Sequence, residues 1–152
     1  MFNFNQYSKP VRLAVITTLV MLILVIASSA AMAQSSCMKV NGKLVLNPDT
    51  TGSYKGDLKG NSAFTSTGFI PTDIPDVGVL TGNNLIHTDY GDLMTQDAIV
   101  LRTTGAGEFA EVDTVVGGTG DWTGATGVIR AIGKFTFEAG GEGDYTGEIC
   151  TQ

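Results

Sequence analysis

Beyond Met38, apolar residues return at every second position in a series of short stretches, and no stretch reads as a helix by its 3.6-residue period. Met38, Val40, Leu44 and Leu46 alternate with Lys39, Asn41, Lys43 and Asn47, which places the apolar groups on one face of an extended strand. Similar stretches run from about Gly60 to Phe69, Leu80 to Thr88, Asp97 to Thr103, Glu108 to Val116, Ala125 to Phe137 and Asp144 to Thr151. The chain has 20 glycines, and short breaks bearing Gly and Asp separate these stretches. Seven or eight strands joined by tight turns are therefore expected, not alternating strands and helices. Ile70 to Asp76 contains Pro71 and Pro75; neither can donate to a ladder, so the stretch reads as a loop. Alternation alone leaves open whether the sheet closes into a barrel or splits into a sandwich.

The first 33 residues follow a different rule. Lys9 and Arg12 are the only charges there, Leu13 to Ala27 is apolar except for Thr17 and Thr18, and Ala31-Met32-Ala33 supplies a small-residue processing site. This is the pattern of a secretory signal helix. Residues 1–33 are thus expected to be removed on export to the periplasm or the exterior, leaving a single domain over 34–152 with no membrane attachment. An uncleaved anchor is the alternative, because Leu13 to Ala33 approaches the length needed to span ~30 Å of hydrocarbon.

Setting Lys9 and Arg12 aside leaves seven basic against 15 acidic residues, a net charge of −8. An acidic surface repels phosphate backbones, so no nucleic-acid partner is expected. Cys37 and Cys150 are the only cysteines. In an exported chain such a pair reads as one disulfide that ties the first strand to the last, with two free thiols as the alternative.

Three segments share an aromatic residue flanked by glycine two positions away on each side: Gly52-Ser53-Tyr54-Lys55-Gly56, Gly120-Asp121-Trp122-Thr123-Gly124 and Gly143-Asp144-Tyr145-Thr146-Gly147. On a strand each ring lies over bare glycine backbone. The glycine-rich stretch Gly117 to Gly127 is not a phosphate loop. It lacks the Lys-Ser or Lys-Thr that reaches a terminal phosphate, and the β-branched run after it offers no helix N-terminus. It reads as a wide turn between paired strands.

This same stretch resembles the central hairpin of the allene oxide cyclase and dirigent β-barrels and of their secreted bacterial relatives. The likeness lies in Gly117-Gly118-Thr119-Gly120, the aromatic at Trp122 and Gly124-Ala125-Thr126-Gly127. A looser likeness in strand spacing extends from about Gly60 to the Gly-x-Tyr-x-Gly-x-Ile strand at Gly143 to Ile149. The resemblance implies an all-β fold, one antiparallel eight-stranded barrel with a mainly apolar cavity, assembled as a homodimer or homotrimer. It further implies that the protein binds an apolar small molecule or steers its cyclisation by holding one conformer, with no cofactor. Where plant allene oxide cyclases carry a tyrosine just after the glycine turn, this chain has Thr126. No catalytic residue is carried across.

His87 is the only histidine, with Asp89 two residues on. The pair reads either as an oriented base or as a solvated strand end before a turn at Tyr90-Gly91-Asp92, and the second is expected. One histidine without a cysteine cluster predicts no transition-metal site, and the scattered aspartates match no calcium loop. No Gly-x-Ser-x-Gly elbow is present, so hydrolase chemistry is not expected. Arg102, Glu111 and Arg130 interrupt apolar or Thr-rich strands and are expected to face solvent; if inward, they must be paired. Tyr54, His87, Tyr90, Arg102, Glu111, Trp122, Arg130 and Tyr145 are the candidate cavity residues. Two functional classes stay open: a small-molecule barrel, whether enzyme or binder, and a non-enzymatic envelope or secreted scaffold for a partner.

Overall fold

The computed structural model describes residues 36–151, and these form a closed antiparallel barrel. Its eight strands are β1 (Ser36–Leu46), β2 (Thr51–Gly56), β3 (Gly60–Pro71), β4 (Val77–Thr88), β5 (Gly91–Arg102), β6 (Glu108–Gly118), β7 (Thr126–Thr136) and β8 (Gly140–Thr151), each paired with its neighbours in sequence. What makes it a barrel and not a sandwich is the ladder between β1 and β8, which runs from Ser36 opposite Thr151 to Leu46 opposite Gly141. Every strand has two neighbours, although β2 is short and β3 beyond Ala63 extends past its pairing with it. The expected signal at 1–33 and the domain start at Gln34 lie outside the described residues.

Period-two alternation builds this wall as anticipated. Val40 and Leu44 on β1, Ile129 and Ala131 on β7, and Tyr145 and Ile149 on β8 point into the core. Two elements depart from the pattern. Thr51–Gly56 is a strand in its own right although Tyr54 is its only large apolar residue, which leaves no alternation to read. Strand β5 begins at Gly91, six residues before the alternation suggests, because two of its inward positions there are the polar Thr95 and Asp97.

The two ends of the barrel differ. One is plugged by Leu58, in the β2–β3 connection, and by Trp122, both buried. Trp122 lies in a 3₁₀ turn, Gly120–Trp122, so the expectation that it sits on a strand like Tyr54 and Tyr145 is corrected. The glycine-rich segment folds over the barrel end instead of forming a plain hairpin turn. It is fastened to the β4–β5 turn: the Asp121 N–H donates to the Tyr90 carbonyl at 2.9 Å, and the Trp122 indole N–H donates to Thr88 Oγ1 at 2.9 Å. Gly120 is required at this contact, since φ is +58° and a Cβ there falls 2.4 Å from the Tyr90 carbonyl oxygen.

Tyr54 and Tyr145 do sit on strands, meeting edge to face with ring centroids 5.2 Å apart. The Tyr145 ring covers Gly42 on the neighbouring strand, where a Cβ would lie 2.7 Å from the phenol oxygen, whereas Gly143 and Gly147 on its own strand lie against Phe109 and the β7 backbone. The expectation of rings over glycines of the same strand is corrected to one of rings over glycines across strands. Its hydroxyl accepts the Leu58 N–H at 2.8 Å and donates to the Leu58 carbonyl at 3.3 Å, pinning the plug to the wall. At this same end Cys37 and Cys150 face each other across β1 and β8 and are joined in a disulfide.

Candidate functional site

The opposite end is open. A cavity of about 80 Å³ enters there, walled by Leu46, Phe64, Leu80, Leu101, Phe109 and Phe135. Its deeper lining is polar and comprises Ser62, Asn84 and Glu111, with Tyr54 beside them. A space of this size holds on the order of five water molecules, or the buried end of a small ligand whose remainder lies between the rings of the mouth. Thr50, in the β1–β2 turn that borders the mouth, has φ +68°, a conformation costly for a β-branched residue.

Behind Glu111 lies the most unusual feature of the interior. On β5 the inward positions run Leu93, Thr95, Asp97, Ile99, Leu101, and on β6 they run Phe109, Glu111, Asp113, Val115. Asp97 stands directly opposite Asp113 in the β5–β6 register, and Glu111 is two residues from Asp113 on the same face. The sheet therefore gathers three carboxyl groups with oxygens within 4.8 Å of one another. All three are buried, at 4% exposure for Asp97, 7% for Glu111 and 0% for Asp113. Every described lysine and arginine is exposed, so no basic side chain answers them from inside the barrel.

Burial without a counter-charge disfavours ionisation. Burial raises Asp97 to about 6, with the Thr95 hydroxyl, which donates to it, pulling the other way. Burial and then the charge of Asp97 raise Glu111 to about 7. Asp113 rises furthest, to about 10, first through burial and then through the charges of Glu111 and Asp97. Neither Asp113 oxygen receives a hydrogen bond from an amide or hydroxyl group. Its nearest outlet is its own proton, which a neutral Asp113 can donate to Glu111. Asp97 Oδ2 and Asn84 Oδ1 are likewise buried without a donor. The interior thus holds an excess of acceptors.

The anticipated residues distribute unevenly around this site. Tyr54 and Glu111 line the cavity, Tyr145 packs beneath Tyr54, and Trp122 closes the far end. Glu111 faces inward, contrary to the expectation of a solvated charge. Its β6 neighbours of the same parity, Phe109 and Val115, are both buried, and that flanking pattern was the signal available in the sequence. Arg102 and Arg130 do face solvent, and Arg102 pairs with Glu108 at 3.5 Å. His87 and Tyr90 lie outside the cavity. His87 Nδ1 contacts Asp92 Oδ1 at 2.7 Å on the exposed surface, so its partner is Asp92 and not Asp89. Asp97, Asp113 and Asn84 were not anticipated, because inward polar residues break the apolar alternation that marks a core strand.

The trio offers an all-oxygen set of the kind that hard cations accept. A second group, Cys37, Glu148 and Cys150, is spent as a metal site because its two cysteines are bonded to each other. Comparison of the chain with protein-family models, with curated proteins and with solved structures finds no match, so the barrel and its acidic interior stand on their own geometry.

Proposed function

We propose that this protein is an exported barrel that binds an apolar small molecule in its lumen, as the likeness to the allene oxide cyclase and dirigent barrels implies. The observation that carries the reading is the one-ended cavity: aromatic and aliphatic walls at the mouth, a few polar groups at depth and a plugged far end. That is the usual constitution of a small-ligand site. Export agrees with the signal-like first 33 residues and with a disulfide, which persists in oxidising compartments. The acids at depth give the site proton-bearing groups should it also direct a cyclisation. In solution, n-hexanol titrated into the labelled protein is expected to shift the resonances of Phe64, Leu80, Phe109 and Phe135. Leu80→Trp, which fills the cavity, is expected to abolish those shifts; shifts scattered over the outer wall in both proteins would exclude a lumenal site.

A second reading, an assembling scaffold, is favoured by the outer wall. Ile70, Val79, Val100, Ala110 and Ile132 stand side by side in register across β3 to β7, all pointing outward. Ile70, Val100 and Ile132 are 60%, 48% and 65% exposed. A continuous apolar stripe of this kind suits contact with a second copy of the chain. Sedimentation velocity is expected to show a dimer or trimer that Ile132→Asp converts to monomer; a wild-type protein monomeric at every concentration removes this reading.

A further inference from the structure

The polar end of the cavity has more acceptors than its donors satisfy: Ser62, Tyr54 and the Asn84 amide carry O–H or N–H groups, yet Asn84 Oδ1, Asp97 Oδ2 and both Asp113 oxygens receive no hydrogen bond from them. Glu111 reaches the cavity surface, with Asp97 and Asp113 directly behind it. Independently of these acids, Asn84 from β4 projects into the same cavity. It is 8% exposed, and its Oδ1 has no hydrogen-bond partner. A buried amide oxygen left without a donor is destabilising, so its presence beside three carboxyls marks a place that a donor-rich group would complete.

We propose that the lumen selects its ligand by a cationic head: an amine whose ammonium group seats against Glu111 and Asn84 while its hydrocarbon part lies between Phe64, Leu80, Phe109 and Phe135. The inference rests on the ligand-binding reading above and names its chemical class. An ammonium brings three N–H donors to a site whose unsatisfied groups are acceptors, and its apolar tail matches walls that give a hydrated metal ion nothing to bind. Charge count agrees. At neutral pH Asp113 stays protonated while Asp97 and part of Glu111 are ionised, so the site carries roughly one to two negative charges and suits a monocation. A divalent ion would have to displace more protons and to find six or more oxygen ligands. The other titratable groups nearby are the phenols of Tyr54 on β2 and Tyr145 on β8, both neutral in this range; no basic group faces the site from any described strand.

The test is calorimetric or NMR titration of the purified protein with n-hexylamine, n-hexanol and hexanoate, which share one tail, and with calcium chloride alone. Hexylamine is expected to bind at least tenfold more tightly than hexanol at pH 7.5, and hexanoate not detectably. Glu111→Gln and, separately, Asp97→Asn are expected to bring the ratio of hexylamine to hexanol affinity down toward one. Leu80→Trp should abolish both, which excludes adsorption to surface carboxylates. Hexylamine affinity should also rise from pH 5.5 to 8.5 as Glu111 and Asp97 ionise, with hexanol flat. Equal affinity for hexylamine and hexanol overturns the cationic preference and leaves the apolar-ligand reading standing. Binding of none of the three overturns both. Calcium binding that Glu111→Gln removes, without an amine preference, overturns the inference in favour of a metal site.

Discussion

Reduction of the Cys37–Cys150 bridge is expected to lower the melting temperature by roughly 10 °C or more. The two cysteines are 113 residues apart in sequence, so the bond closes almost the whole described chain into a loop. In the chain-entropy view a loop of this length removes ~4–5 kcal/mol of freedom from the unfolded state, with part of that gain commonly forfeited to strain. The effect should be large here for a second reason. The bond joins β1 to β8, and that is the seam where the sheet closes on itself. Without the covalent tie, closure must be achieved by contacts between the two ends of the sequence, the most expensive loop to close. Thermal melts with and without reductant, with free thiols assayed to confirm reduction, check this. Identical melts would show that the ladder between β1 and β8 holds the seam unaided.

A comparably large effect is expected from pH. Unfolded, the carboxyls of Asp97, Glu111 and Asp113 titrate at their ordinary values near 4. Folded, they keep protons up to about 6, 7 and 10. Between these limits the folded state binds more protons than the unfolded one. The stability associated with the trio is therefore fully present below about pH 4 and is lost as pH rises through the folded values. Each retained proton amounts to about 1.4 kcal/mol per pH unit, so between pH 5.5 and 8.5 Asp113, which keeps its proton throughout, should account for about 4 kcal/mol of lost stability, and Glu111 and Asp97 should bring the total to roughly 7 kcal/mol. Most proteins lean the other way on the acid side, since their paired carboxylates are lost on protonation. Asp113→Asn replaces a neutral acid by a neutral amide of the same shape and removes the cost of holding that proton in the folded state while the unfolded chain gives it up. This variant should be more stable than the parent at pH 8.5 and show a shallower slope. Denaturant melts across the pH range decide it, and a parent that gains stability between pH 5.5 and 8.5 would mean that the acids are hydrated or otherwise compensated.

Much of the architecture could be read from the residues, and the reasons are local. Alternation in Met38 to Leu46, in Glu108 to Val116 and in Asp144 to Thr151 dictates extended chain, because only a strand puts every second side chain on one face. The position of Cys37 near one end and Cys150 near the other, in a chain with no further cysteine, pointed to their pairing before any geometry was known. What alternation cannot state is which face is inside. Glu111 and Asp113 share parity with Phe109 and Val115, while Val112 and Ile132 are apolar and point outward. Parity and hydrophobicity thus disagree on the same strands, and the seam between β1 and β8 settles the matter by curling one face inward. The meeting of Asp97 with Asp113 likewise depends on a register between strands, shifted by an irregularity at Met94 and Thr95, which no run of neighbours encodes. Local residue order dictated most of the strands, their antiparallel succession and the cysteine pair, while Thr51–Gly56 and the start of β5 escaped it. That three acids share the buried centre of the barrel was a matter of the closed sheet, because proximity across it is set by pairing between residues distant in the chain.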